Sequence, residues 1–273
     1  MPSADAAALK KLRACLRGQP LALAFSGGLD SRFLAFVARQ CGADMLLLHA
    51  CGPHVPPAET ACALRWAARQ GLPLVQVAYD PLSLPGVAEN SRERCYCCKS
   101  GLFARLADEL AARGERRRLC DGTHADDLLR FRPGLRALRE AGIWSPLAAC
   151  GMGKEDIRSA ARAVGMDDPE QKARPCLLTR LAYGLAPDAA TLRAVAAAEQ
   201  AVADVLAGSG MSAGQPADFR LRLTPLPVLQ CTPLTAAGRE TVLTALAARG
   251  FPDAILREEA DISGFFDRPA GAS

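Results

Sequence analysis

LALAFSGGLDS, residues 21–31, is the stretch that decides how the rest of the chain folds. Its apolar first half predicts a buried β-strand, and the glycine-rich second half opens a helix. Gly27 and Gly28 let the backbone turn tightly and approach an anion, while the Ser26 and Ser31 hydroxyls and the helix N–H groups donate to phosphate oxygens. The stretch therefore predicts an anion-binding loop between a strand and a helix.

This loop matches neither of two common nucleotide-binding motifs. It lacks the GxxxxGK[ST] pattern of Walker A loops, including the lysine, and it lacks the dinucleotide-binding GxGxxG. SGGLDS instead resembles the PP-loop of ATP pyrophosphatases, which holds the departing pyrophosphate while AMP is transferred to a substrate. That resemblance implies that Ser26, Gly27, Gly28, Asp30 and Ser31 bind ATP, whereas the competing interpretation is an ordinary strand-to-helix turn.

Short apolar runs alternate with amphipathic segments up to about residue 165. Strands are predicted at LALAF, MLLLH, LVQVAY and RRLCD, and helices are predicted after the loop, near 57–69 and near 100–112. This alternation predicts an α/β fold in which helices cover both faces of a parallel sheet. Ligands of such sheets bind at the carboxyl ends of the strands.

The pattern changes after Pro169, where a smaller α+β domain is predicted. Its elements are a helix near 188–207, a strand near 219–223, a helix near 235–249 and a short strand at AILRE. We therefore expect a PP-loop domain over residues 1–168 and a C-terminal substrate or sulfur-transfer domain over 169–273.

Composition predicts a globular protein and is compatible with an enzyme for anionic substrates. The chain has 273 residues, 50% of them hydrophobic, and a formal net charge of +4, which is too small to indicate nucleic acid. No apolar run approaches the roughly 20 residues that span a bilayer, and no signal peptide is recognisable, so we expect a cytoplasmic location. The eleven cysteines are expected to be reduced, so a local cluster indicates metal binding or catalysis rather than disulfides.

A second polar loop, DGTHADD (Asp121–Asp127), follows the fourth predicted strand. Gly122 permits a close turn, Thr123 offers a hydroxyl, and Asp126 offers a carboxylate for a Mg²⁺ shared with nucleotide phosphates. Capping of the following helix explains the same acidic residues equally well. His49 ends the second strand, where PP-loop proteins receive adenine, although a lone histidine is more often structural.

Two cysteine motifs carry further chemistry. In RPCLLTR, Arg174 and Arg180 flank Cys176 and favour its thiolate, so Cys176 is a candidate nucleophile; an inert buried cysteine is the alternative. In NSRERCYCCK, Cys95 and Cys98 form a Cys-x-x-Cys pair that suits two corners of an iron–sulfur cluster. A zinc site needs a fourth ligand for which no partner motif stands out, so zinc or plain thiols are the lesser alternatives.

Four motifs in this order resemble the LarE sulfur transferases of the PP-loop superfamily. They are SGGLDS, NSRERCYCCK, DGTHADDLLRFRPGLRALREAGIWSPL and the Cys-x-x-Thr-Arg of RPCLLTR, and the resemblance covers roughly residues 20–200. It implies a Rossmann-like PP-loop domain that uses ATP and Mg²⁺, with Asp30 and Asp126 as magnesium ligands. The implied substrate is pyridinium-3,5-biscarboxylic acid mononucleotide, a precursor of the nickel-pincer cofactor, whose carboxylate becomes a thiocarboxylate.

The resemblance implies two possible sulfur sources. In one version of the family, the residue matching Cys176 forms a thioester and loses its own sulfur. In the other, three cysteines hold a four-iron four-sulfur cluster whose open iron carries exogenous sulfide, and the matching ligands are Cys95, Cys98 and Cys176. We predict the cluster version, in which Cys97 is a bystander and Arg180 assists Cys176.

The resemblance weakens beyond about residue 205. Arg220 and Arg222 match a family Arg-x-Arg strand and are expected, with Arg174, to bind the substrate phosphate, but Gln230 stands where the family has an acid. A PP-loop enzyme that thiolates tRNA or another small acid, and a non-catalytic nucleotide- or metal-binding relative, are therefore the alternatives. The expected partners are the mononucleotide and a sulfide donor, without nucleic acid or membrane, and LarE relatives imply a homo-oligomer.

Overall fold

The strand that precedes SGGLDS lies inside a four-stranded parallel sheet in the order β3-β2-β1-β4. The computed structural model describes residues 4–129, 133–208, 218–260, 262 and 265–266. Its strands in this sheet are β1 (Pro20–Ala24), β2 (Asp44–Cys51), β3 (Leu74–Ala78) and β4 (Arg118–Cys120). The predicted α/β class with a parallel sheet is therefore confirmed.

Helices cover this sheet on both faces. They are α1 (Ala4–Leu16), α2 (Leu29–Gln40), α3 (Pro57–Gln70), α4 (Arg94–Ala112), α5 (Ala125–Leu128), α6 (Pro133–Glu140), α7 (Pro146–Ala149) and α8 (Lys154–Ala163). Residues 130–132 of the DGTHADDLLRFRPG motif lie outside the described part of the chain. No helix within that part is both long and apolar enough to cross a lipid bilayer.

Side chains of the central strand alternate between two apolar cores. Leu21 and Leu23 pack in one core with Phe33 of α2, and Ala22 packs in the other with Phe103 and Leu106 of α4. Because successive residues of a strand point to opposite faces, a continuous apolar run is what a strand covered on both faces requires. The run LALAF is therefore explained by burial on both sides.

A second, three-stranded sheet has the order β5-β6-β7. Its strands are β5 (Phe219–Arg222), β6 (Val228–Cys231) and β7 (Ile255–Glu258), and its helices are α9 (Ala189–Leu206) and α10 (Ala236–Ala247). β6 pairs antiparallel with β5 and parallel with β7. β6 was not among the elements predicted from the sequence.

The chain divides into two compact units, each of which combines separate segments. The first comprises Met1–Gly52, Pro57–Leu84 and Glu93–Arg174, and the second comprises Pro53–Pro56, Pro85–Arg92 and Pro175–Ser273. Two short segments that interrupt the first unit in sequence thus belong to the second. The last boundary between the two units along the chain falls after Arg174, within the motif RPCLLTR.

Asn90 attaches one of these short segments within the second unit. Its side chain is fully buried and donates to the carbonyls of Ala182 at 2.7 Å and Leu181 at 3.5 Å, and its own carbonyl accepts from Gly184 N–H at 3.1 Å. Its φ of 48° lies in the left-handed region, which asparagine tolerates better than most residues. Asn90 therefore holds the chain just beyond RPCLLTR in place.

We expect Asn90→Ala to lower the free energy of unfolding by about 2–4 kcal/mol, because one buried and one partly buried carbonyl lose a donor and alanine is disfavoured at positive φ. Asn90→Gly removes the same amide but suits the backbone, so it should cost about 1 kcal/mol less than alanine. Urea denaturation followed by circular dichroism measures both values. Equal costs for the two variants would show that the left-handed backbone contributes nothing.

Candidate functional site

The loops after β1 and β4 meet at the carboxyl edge of the parallel sheet. β1 pairs with β2, the next strand in the sequence, on one side and with β4 on the other. The direction of the strand order therefore reverses between β1 and β4. A crevice at such a reversal is where open α/β sheets bind ligands. A Cβ at Gly122 would lie 3.0 Å from the backbone nitrogen of Ser31, so a larger residue there would require the backbone of α2 to shift by a few tenths of an ångström.

The SGGLDS loop has the features of an anion cradle. Gly27 has a φ of +78°, and a Cβ there would also meet the Ala63 side chain at 3.0 Å. The Ser26 and Ser31 hydroxyls lie 3.2 Å apart, and the Gly28 N–H donates to Ser26 Oγ at 3.3 Å. The Ser31 hydroxyl also donates to the Gly28 carbonyl at 3.0 Å. The loop thus lies at the N-terminus of the 12-residue α2, where the helix dipole favours negative charge.

His49 lies beneath this loop and is buried. Its Nδ1 is 2.8 Å from the Phe25 carbonyl, which only accepts, so Nδ1 carries the proton and Nε2 accepts from Thr60 Oγ1 at 3.1 Å. Burial lowers the pKa of His49, which keeps the ring neutral and consistent with this tautomer. His49 therefore supports the end of β1, and its contact with adenine stays a prediction.

A lysine that the sequence reasoning missed joins the two acidic residues predicted to bind magnesium. Lys154 Nζ forms an ion pair with Asp30 Oδ1 at 2.6 Å, and the Lys154 backbone N–H donates to Asp126 Oδ2 at 2.7 Å. Asp126 thus caps α8, and a Cβ at Gly153 would lie 2.9 Å from Asp126 Oδ1. Lys154 lies 124 positions from Asp30 in the sequence.

Thr123 is fixed by a short chain of hydrogen bonds at the end of β4. Its hydroxyl donates to Asp121 Oδ2 at 2.5 Å, and Asp121 Oδ1 accepts from Ser145 Oγ at 2.6 Å. The Thr123 carbonyl accepts from Ala148 N–H at 3.2 Å. These bonds anchor the DGTHADD turn beside α2, so Gly122 and Thr123 have a fixed position next to the loop.

The cysteine motif forms the first turn of α4 and does not precede the helix. Cys95 and Cys98 are three positions apart and share one helix face, whereas Cys97 is two positions from Cys95 and points away from that face. The Cys98 carbonyl accepts from the Tyr79 hydroxyl at 2.5 Å, and a Cβ at Gly101 would lie 2.8 Å from that same hydroxyl. Burial raises the pKa of Tyr79, so its hydroxyl remains a donor.

Cys176 precedes a 3-10 helix, Leu177–Arg180, in the second unit. Its carbonyl accepts from Thr179 N–H at 3.1 Å and from Thr179 Oγ1 at 2.9 Å. The next residue, Leu177, donates its N–H to the His54 carbonyl at 2.9 Å. Cys176 is half-buried, and hydrogen bonds to Thr179 and His54 fix the backbone at Cys176 and Leu177. No sequence signal had indicated the contact with His54.

Arg180 has a positioning contact with the cysteine segment. Its guanidinium forms two hydrogen bonds of 2.8 Å with Glu199, and Nη1 donates to the Pro175 carbonyl at 3.0 Å. Glu199 Oε1 also accepts from Leu221 N–H at 2.8 Å. Arg180 is buried, so it links α9 and β5 to the residue before Cys176.

The three arginines predicted to bind the substrate phosphate have different environments. Arg174, in the first unit, is exposed and pairs with Glu59 at 2.5 Å. Arg220 is buried and paired with Asp218, and burial lowers its pKa. Arg222 is buried and donates to Gln230 Oε1 at 3.0 and 3.1 Å. Substrate contacts by these arginines stay predictions.

The predicted ATP-binding residues lie together in the first unit, which also contains Cys95 and Cys98, while Cys176 lies in the second. Across the described ranges, no three histidine, cysteine, aspartate or glutamate residues are grouped closely enough to hold a metal ion. The iron–sulfur and magnesium ligand sets therefore stay predictions.

Similarity to known proteins extends over more than half of the chain. It is 34% identical over 163 residues to an uncharacterised protein of Synechocystis sp., covering 59% of this chain and 60% of the relative. A protein of Methanocaldococcus jannaschii, also uncharacterised, is 31% identical over 172 residues, covering 63% and 65%. The chain thus spans less than two thirds of these two relatives.

A third relative has an assigned product. The pyridinium-3,5-bisthiocarboxylic acid mononucleotide synthase of Lactiplantibacillus plantarum is 29% identical over 196 residues, covering 71% of this chain and 68% of the relative. No family profile matches the chain. The expected likeness to the LarE sulfur transferases is therefore confirmed as a distant similarity.

We expect Glu199→Ala to destabilise the protein by about 3–5 kcal/mol, because it leaves the Arg180 charge buried without its carboxylate. Glu240→Ala, on the exposed surface of α10, is the control and should change stability by no more than about 0.5 kcal/mol. Urea denaturation monitored by circular dichroism compares the two. A Glu199→Ala protein as stable as the control would contradict the structural role of the pair.

Proposed function

We propose that this protein is a LarE-like, ATP-dependent sulfur transferase that converts a carboxylate of a pyridinium-3,5-biscarboxylic acid mononucleotide-like substrate to a thiocarboxylate. The observation that carries the proposal is the junction of the SGGLDS loop and the DGTHADD turn at the carboxyl edge of the sheet, where Gly122 packs on Ser31. The similarity to a bisthiocarboxylic acid mononucleotide synthase supports the substrate class.

In the first proposed step, a substrate carboxylate oxygen attacks the α-phosphate of ATP, and the bond to the departing pyrophosphate breaks. The product is an acyl adenylate, whose AMP leaves far more readily than an oxide would. The Gly28 N–H and the Ser26 and Ser31 hydroxyls are the donors for pyrophosphate in this proposal. Lys154 supplies the positive charge that the loop itself lacks.

Asp30 and Asp126 are the proposed magnesium ligands. Asp30 accepts from the Lys154 side-chain ammonium and Asp126 accepts from the Lys154 backbone N–H, so both carboxylates lie beside the same residue. Hard carboxylate oxygens suit Mg²⁺, which completes its shell with water and phosphate oxygens. The donor set therefore fits a magnesium ion that arrives with ATP and neutralises phosphate charge.

In the second proposed step, a sulfur nucleophile attacks the acyl carbon and AMP departs with the electron pair of the broken bond. Cys176 is the central residue in both versions of this step. As a sacrificial donor, its thiolate forms a thioester, and loss of its Cα proton with cleavage of its Cβ–S bond leaves dehydroalanine. Arg180 orients Cys176 through the Pro175 carbonyl.

In the cluster version, Cys95, Cys98 and Cys176 are the proposed iron ligands. Cys95 and Cys98 fit this role because they share one face of the first turn of a 19-residue helix. If bound, a four-iron four-sulfur cluster held by these three cysteines would supply an iron site for exogenous sulfide. Small-molecule sulfide is then the donor, and assembly as a homo-oligomer stays a prediction.

The two steps are separable by mutation. Ser26→Ala should reduce substrate-dependent pyrophosphate release by roughly tenfold to a hundredfold, because a pyrophosphate donor is lost. Cys176→Ala should retain pyrophosphate release, since adenylation comes first, and should form no thiocarboxylate. Cys41→Ala removes a thiol whose pKa burial raises and should behave as wild type. Pyrophosphate assay and mass spectrometry of the product measure both steps.

Full sulfur transfer by both Ser26→Ala and Cys176→Ala would show that the site is assigned wrongly. Absence of pyrophosphate release from the wild-type protein with ATP, Mg²⁺ and the pyridinium biscarboxylate would refute the enzymatic proposal. Release with a different acid or with tRNA, but not with the pyridinium compound, would instead identify another PP-loop reaction.

Iron binding distinguishes the cluster from the sacrificial cysteine. After anaerobic reconstitution, we expect Cys95→Ser and Cys98→Ser to lose most bound iron and sulfide, while Cys97→Ser keeps wild-type amounts because it points to another helix face. Iron and sulfide analysis with absorption spectroscopy gives the result. A wild-type protein without iron, whose mass falls by that of H₂S after turnover, would rule out the cluster and support the sacrificial Cys176.

A further inference from the structure

We infer that Gln171 is a positioning residue for the SGGLDS loop, which it holds in the anion-binding orientation through the Gly27–Gly28 peptide. The inference rests on the proposed function, because it concerns the loop that is proposed to hold pyrophosphate. Gln171 lies 144 positions from Gly27, and its Nε2 donates to the Gly27 carbonyl at 3.3 Å.

The consequence of this bond follows from peptide geometry. In a trans peptide, the C=O of one residue and the N–H of the next point in opposite directions. A bond that fixes the Gly27 carbonyl toward Gln171 therefore directs the Gly28 N–H the other way, toward Ser26 Oγ, which is 3.3 Å from it. The same N–H is one of the proposed pyrophosphate donors.

This peptide needs such an external bond because glycine lies on both sides of it. Without a Cβ, Gly27 and Gly28 adopt alternative backbone angles at little cost, so the intervening peptide is free to rotate. A rotated peptide would present the Gly27 carbonyl oxygen to an anion and repel it. Gln171 therefore selects the orientation that attracts pyrophosphate.

Arg32 fixes which end of the Gln171 amide faces the loop. Arg32 follows SGGLDS directly, is buried, and donates its Nε–H to Gln171 Oε1 at 3.1 Å. Since arginine has donors only, the amide oxygen must face Arg32, and the amide N–H groups are left for Gly27. The network thus extends from the loop through α2 to the segment after α8.

The arginine is itself held by contacts with three residues. Its terminal nitrogens donate to the carbonyls of Asp168 at 3.0 Å and Asp167 at 3.4 Å, and its guanidinium lies 6.0 Å from the centre of the Trp66 ring. Asp167 is fixed in turn by the Trp66 indole N–H at 2.9 Å. Gln171 is therefore attached to a rigid support.

Two substitutions isolate the donor of Gln171. Gln171→Glu keeps an oxygen for Arg32 but cannot donate to Gly27, and Gln171→Met removes the donor without adding charge. We expect both to weaken binding of inorganic pyrophosphate with Mg²⁺ by about tenfold in isothermal titration calorimetry. AMP, which lacks the β- and γ-phosphates, should bind both variants as it binds wild type, and the thermal midpoint of Gln171→Glu should be unchanged.

Glu170→Gln is the matched control one position away. Glu170 is exposed and pairs with Arg162 at 2.5 Å, so this change should leave pyrophosphate binding at the wild-type value. Wild-type affinity in both Gln171 variants would overturn the inference, as would a loss confined to Gln171→Glu, which would indicate charge repulsion. A wild-type protein that binds neither ATP nor pyrophosphate would refute the proposed function itself, and the inference with it.

Discussion

The pairing of β1 with β2 on one side and with β4 on the other is the constraint on which the site depends. Parallel strands end at the same edge, so the loop that follows β1 and the turn that follows β4 must meet there. They approach so closely that a Cβ at Gly122 would lie only 3.0 Å from the Ser31 backbone nitrogen. The predicted ATP-binding residues, which the chain supplies from distant segments, are therefore assembled by sheet order.

Within each compact unit, one buried arginine holds backbone segments near the predicted site residues. Arg32 binds the carbonyls of Asp167 and Asp168, while Arg180 binds Glu199 and the carbonyl before Cys176. A buried guanidinium is tolerated only when its charge and donors are matched, so each arginine imposes an exact arrangement on the backbone that it contacts. Burial of these two guanidinium groups therefore fixes the backbone geometry more than it increases the free energy of unfolding.

The sequence predicted the parallel sheet because its strands are apolar on both faces, and that signal is local. It did not reveal Lys154, Gln171 or Glu199, because each is an ordinary polar residue on its own helix or loop. Their significance lies in partners 124, 144 and 19 positions away, and no periodicity encodes such pairs. β6 was missed for a different reason, since it is only four residues long and directly follows Pro225 and Pro227, which are typical of turns.

The start of α4 changes how the cysteine motif is understood. The apolar periodicity of the segment predicted a helix near residue 100, but the helix begins at Arg94. The cysteines therefore lie on the helix, and their spacing determines which of them share a helix face. Residues three apart on a helix share a face, and residues two apart do not. This geometry separates Cys95 and Cys98 from Cys97 without reference to any relative. A pair on one helical turn still offers only two thiolates, so any iron–sulfur cluster bound there requires a ligand from another part of the chain.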